Sequence, residues 1–187
     1  IYFILDSATY LNFEHGVEQT AMFVRPGDKI KLSIDTEEFD ETIEYLKNNV
    51  GNAVVFSCGS ALKSILDAGI IPDFHIEMER AAALYQWVDS VGHKDKLQNI
   101  NIIALNTVHT NILKLFKNSY LLPKPKDGGM DFLYEFIDEG TYPSVYACNP
   151  TVTNAASAAA AYMGFTSFYL FGVDYGYIDE AHHHSKG

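Results

Sequence analysis

The sequence predicts an α/β fold: a Rossmann-like, doubly wound, mostly parallel sheet with helices on both faces. Three observations predict it. From Asn52 onward, short apolar runs alternate with segments of helical spacing. The runs are continuous rather than alternating, as in strands covered on both faces. Glycines and short polar residues gather where the runs end, the edge at which such sheets bind ligands. With 187 residues, 48% hydrophobic and 20% charged, the chain can bury one sizeable core.

Residues 1–50 read as an accessory segment or the tail of a preceding domain. Residues 51–187 read as the Rossmann-like domain, expected to be truncated at its C-terminus. In the first part, 1–5 is a short apolar run and 21–24 a strand. Arg25-Pro26-Gly27-Asp28 is a turn, and 31–34 a further strand. Phe39, Ile43 and Leu46 recur at helical spacing over 38–49. The alternation then begins with a strand at 53–56, the turn Ser57-Cys58-Gly59-Ser60, and a helix over 61–68 closed by Gly69. A strand at 74–78, a helix at 80–90 and a strand at 100–105 follow. Next come a helix at 109–116, a brief strand at 119–122, a loop over 124–129 and a helix at 130–138. The last elements are a strand at 145–147, an alanine-rich helix at 153–163 and a strand at 167–171. The alanines let that helix pack very close to the sheet.

The net charge of -11 argues against general nucleic-acid binding, which needs clustered Lys and Arg. It argues equally against a non-specific anionic-membrane surface. No apolar run reaches the ~18 residues of a membrane span. The two cysteines, Cys58 and Cys148, lie far apart and read as reduced, buried thiols of a cytoplasmic protein.

Five clusters carry candidate chemistry. Gly59 and Ser60 form a strand-to-helix turn whose amides and helix terminus suit an anion, although a plain capped turn has the same look. The turn lacks both the dinucleotide G-x-G-x-x-G pattern and the phosphate loop. Glu79, at the end of the second strand of the alternation, accepts from a ribose or sugar hydroxyl in one reading. In the other it is a helix-start acid. His75 and Glu77 alternate with apolar residues and read as sheet-face groups rather than ligands. Asn106, after the third such strand, caps a helix or contacts a nucleotide. Thr151, Thr153 and Asn154 precede the alanine-rich helix, where capping accounts for part of the pattern. Finally, the last strand stops at Gly172 and Asp174, and His182, His183 and His184 follow. A near-neutral imidazole suits a general base. Adjacent histidines rarely converge on one metal, so no metal site is assigned.

Taken together, these segments resemble the bacterial motility accessory factor family. They are Ser57-Cys58-Gly59-Ser60-Ala61-Leu62, Ile71-Pro72-Asp73 with Glu79, Thr151-Val152-Thr153-Asn154, Gly172-Val173-Asp174-Tyr175 and His184-Ser185-Lys186. The same segments look like CMP-sialic-acid sialyltransferases and archaeal hydroxymethylpterin pyrophosphokinases. The turn here is one residue shorter than the family's Gly-x-Pro-Ser-Leu and lacks its proline. The resemblance implies a metal-independent glycosyltransferase moving a nonulosonic sugar from a CMP donor to a protein hydroxyl, with flagellin as acceptor. His184 would be its general base, with Asp174 orienting a neighbour or closing the nucleotide site. It leaves two alternatives: a Mg²⁺-using pyrophosphokinase acting on ATP and a hydroxymethylpterin, and a non-catalytic flagellin-binding or export module.

Overall fold

The computed structural model describes residues 2–5, 30–32, 39–136 and 145–173. The expected strand at 21–24 and its turn lie outside these residues. So do Asp174, His182, His183 and His184.

Among the described residues, seven parallel strands form one sheet. They are β1 (Tyr2–Leu5), β2 (Ile30–Leu32), β3 (Val54–Cys58), β4 (Phe74–Glu77), β5 (Asn101–Leu105), β6 (Asn118–Leu122) and β7 (Phe168–Phe171). Their spatial order is β2-β7-β1-β3-β4-β5-β6. The helices are α1 (Phe39–Asn49), α2 (Ala61–Asp67), α3 (Ala82–Ser90), α4 (Lys94–Leu97), α5 (Gly128–Phe136) and α6 (Val152–Tyr162). This is the Rossmann-like α/β arrangement the alternation predicts. The sheet also runs across residue 50, because β1 is hydrogen-bonded between β3 and β7.

The continuous apolar strands are covered on both faces. Phe56, Cys58, Ile76, Ile103 and Leu105 pack with the alanines of α6. Alternate residues turn the other way: Ile102 and Ala104 meet Leu62 and Leu66 of α2 and Val88 of α3. Val55 meets Ile43 and Leu46 of α1. Helix α6 is buried along Thr153 to Ala160 and packs on β1, β3 and β4. The small side chains of α6 suit that packing.

Two expected elements differ. Only a single 3₁₀ turn, Ile112–Leu115, forms in the expected helix at 109–116. There the Asn111 N–H donates to His109 Nδ1 at 3.4 Å, a local bond that competes with helix propagation. No strand forms at 145–147, because Ala147 takes left-handed backbone at φ 57° and Tyr146 is exposed.

The topology locates the ligand edge. The chain leaves β3 toward β4, β5 and β6, whereas from β1 it passes to β2 on the opposite side. The connections therefore diverge at the carboxyl ends of β1 and β3, where open α/β sheets leave a crevice.

Candidate functional site

Strand β3 ends beside that crevice, and Gly59 turns the chain. Its φ of 48° lies in the left-handed region, which glycine enters without a Cβ penalty. The Gly59 N–H donates to the Ile76 carbonyl at 3.1 Å, and its carbonyl accepts from the Leu62 N–H at 3.2 Å. The turn is thus tied both to the neighbouring strand and to α2. Ser60 follows in helical conformation without capping α2 through its side chain.

The start of α6 comes up against this turn. A Cβ built on Gly59 would stand 3.6 Å from Val152 Cγ1, in ordinary van der Waals contact. Thr151 caps the helix. Its Oγ1 accepts from the Asn154 N–H at 3.3 Å, and Asn154 Oδ1 accepts from the Thr151 N–H at 3.3 Å. Thr151 Oγ1 also donates to Asn154 Oδ1 at 2.7 Å. Asparagine here takes the place of the usual Glu or Gln in a capping box. Thr153 and Asn154 are buried. The box leaves the Val152 N–H without a hydrogen-bond partner among the described residues. An open amide at a helix N-terminus is an anion-binding group.

The structure therefore brings together Gly59, Ser60, Thr151, Thr153 and Asn154. Gly172 ends β7 on the same edge, on the far side of β1, with φ 63°. Glu79 and Asn106 stand further along the edge. Glu79 is exposed, and its Oε1 accepts from the Arg80 and Ala81 N–H groups at 2.8 and 3.2 Å. Those bonds order the turn into α3. Asn106 Oδ1 accepts from the Lys124 N–H at 2.8 Å, and the Asn106 N–H donates to the Leu122 carbonyl at 3.0 Å. It locks the ends of β5 and β6 together.

Two features escaped the sequence reading. Lys124 follows β6 near Cys148. Burial pushes the Cys148 thiol up, and the Lys124 charge pulls it partly back. A cation just past a strand end in an acidic chain was the available signal. The second feature is a buried chain of Ser57, His75 and Glu77. Ser57 Oγ lies 2.9 Å from His75 Nδ1, and His75 Nε2 lies 3.2 Å from Glu77 Oε1. Polar residues at alternate strand positions were its signal. Among the described residues, no three His, Cys, Asp or Glu side chains are grouped as a metal site. No helix among them is long and apolar enough to cross a membrane.

Comparison with known proteins adds two findings. Residues 39–180 match the family model described as 6-hydroxymethylpterin diphosphokinase MptE-like. The chain is also similar to the solved structure of the MAf glycosyltransferase from Magnetospirillum magneticum AMB-1, with 29% identity and a TM-score of 0.71. That likeness covers 97% of this chain and 24% of the other, so this chain spans about a quarter of that protein's length. No curated protein matches significantly. The two findings bear out the Rossmann-like fold and the resemblance to motility accessory factors.

Proposed function

Because the chain belongs to the MptE-like family, we propose that it is a glycosyltransferase domain of the motility accessory factor kind. It moves a nonulosonic sugar from a CMP donor to a protein hydroxyl, with flagellin as the acceptor, in the cytoplasm. The observation that carries this reading is the meeting of the Gly59 turn with the start of α6, where the strand connections diverge. The similarity of nearly the whole chain to a glycosyltransferase supports it. Two buried free thiols support a reducing compartment.

In the transfer, the bond between the anomeric carbon and the phosphate oxygen breaks and CMP leaves. A bond forms from the acceptor oxygen to the same carbon, through an oxocarbenium-like state. The Val152 amide, the α6 terminus and the Gly59 turn hold the leaving phosphate as its charge develops. His184 takes the acceptor's proton as general base, and Asp174 orients its neighbour. These two roles rest on the family resemblance. Thr153 and Gly172 complete the wall, and Asn106 and Glu79 extend it along the strand ends. A monophosphate leaving group does not oblige a divalent metal.

The name of the matching family favours a second reading, diphosphate transfer from ATP to a 6-hydroxymethylpterin. An assay with both substrate sets separates the two. The full chain with a CMP-nonulosonic acid and flagellin is expected to release CMP and add one sugar mass to flagellin. His184→Ala abolishes both. Release of AMP from ATP with a hydroxymethylpterin, and no CMP from the sugar nucleotide, refutes the glycosyltransferase reading. Flagellin binding without turnover of either donor leaves a binding or export module.

A further inference from the structure

The chain of Ser57, His75 and Glu77 takes no part in the transfer just described, yet it ends at the same edge. The three residues share one sheet face and are 0%, 0% and 3% exposed. The His75 ring also stacks on Phe116, with centroids 5.4 Å apart. Its hydrogen bonds are satisfied in either protonation state. When the ring is neutral, the Ser57 hydroxyl donates to Nδ1 and the Nε2–H donates to Glu77. When it is charged, Nδ1–H donates to Ser57, whose hydroxyl turns toward the Phe74 carbonyl at 3.4 Å. In both cases Glu77 Oε1 is held in place.

The other Glu77 oxygen is different. Among the described residues Oε2 has no hydrogen-bond partner. It is also not sealed off, since the one fully buried and unpartnered side-chain atom among them is Ser157 Oγ. A carboxylate that is almost wholly buried, with one oxygen unpaired but reachable, calls for a donor. Its position says which donor. Glu77 is the last residue of β4, and the pairing of Cys58 with Ile76 sets it opposite Gly59. In dinucleotide-binding folds wound this way, an acid at the end of the strand after the glycine turn accepts from a ribose hydroxyl; the turn here lacks their glycine pattern, but Glu77 holds the corresponding strand-end position. The other acid nearby, Glu79, is exposed and already engaged by two backbone amides.

We infer that Glu77 is the ribose-binding acid of this site, its free carboxylate oxygen accepting a hydrogen bond from a ribose hydroxyl. This rests on the nucleotide-binding reading above and adds to it a requirement for a ribonucleotide over a deoxyribonucleotide.

The test is calorimetric titration of the full chain with the four ribonucleoside monophosphates and their 2′-deoxy and 3′-deoxy forms. A hydrogen bond to a charged acceptor makes the best ribonucleotide bind about tenfold or more tightly than at least one of its deoxy forms. Glu77→Gln narrows that ratio to roughly threefold or less, whereas Glu79→Gln preserves the ratio. Equal wild-type affinity for ribo and deoxy forms overturns the inference and leaves the nucleotide site standing. Binding of none of them overturns both. A ratio that survives Glu77→Gln, or that disappears in Glu79→Gln, also overturns it. If Glu77→Gln does not fold, the wild-type and Glu79→Gln titrations decide.

Discussion

Replacing Ser157 with alanine should stabilise this protein, against the usual direction of a core substitution. Ser157 sits inside α6 and is 5% exposed, and its Oγ has no hydrogen-bond partner among the described residues. Folding therefore strips water from a hydroxyl and returns nothing. Removing such a group recovers its desolvation cost, about 1–3 kcal/mol. Alanine adds about 0.5 kcal/mol of helix propensity. Loss of the oxygen's packing contacts opposes these gains by a fraction of a kcal/mol. The net expectation is about 1–3 kcal/mol of added stability. For a chain of this size that raises Tm by about 3–9 °C. Urea unfolding of Ser157→Ala and wild type measures it, provided the m-value is unchanged. An unchanged or lowered midpoint would show that the hydroxyl has a partner in the folded protein, and the account of α6 would need revision.

Three further outcomes follow from the geometry. Gly59→Ala should lose about 1–2 kcal/mol in the same urea assay, the cost of a left-handed non-glycine residue; the 3.6 Å contact with Val152 adds no collision. A loss above about 4 kcal/mol would mean the turn has no room for a methyl group. Thr151→Ala should cost about 1 kcal/mol through the lost cap, and Thr151→Ser should restore most of it; equal losses in both variants would contradict the capping role. His93 and then Lys63, at 2.7 and 2.9 Å, hold Asp67 below the usual carboxylate range. A depressed folded value stabilises the protein above about pH 4, and that contribution is lost as the pH falls through it. Since the groups are partly solvent-exposed, Asp67→Asn should cost under about 0.5 kcal/mol at pH 6, and progressively less as the pH falls below about 4. A difference that grows toward low pH would contradict the sign.

Much of the fold was legible because its strands are continuous apolar runs. The runs at 53–56, 74–78, 100–105 and 167–171 are all strands in the structure. The helix over 153–163 was legible from its cap and its alanines. Where local chemistry opposed the pattern, the reading failed. His109 and Asn111 hold the backbone in a short turn, and Ala147 takes a conformation that no apolar pattern announces. The first residues were harder still, since β1 joins the middle of the sheet through partners far away in the chain. The Gly59 and Thr151 turns were both visible as strand-end clusters. That they touch was not, because their contact depends on how closely α6 approaches β3. Glu77 is a sheet-face group, as its alternation with apolar residues predicts. Its unpaired oxygen emerges only from knowing what His75 and Ser57 already satisfy.

The central claim is that a nucleotide sits over the ends of β1 and β3, against the Gly59 turn and the start of α6. Amide NMR of the ¹⁵N-labelled full chain during titration with CMP tests it most directly. Saturable shifts of Gly59, Ser60, Val152, Thr153 and Gly172, with no added Mg²⁺, are the predicted result. Shifts confined to β6 and α5, or no shifts at millimolar CMP, would contradict it.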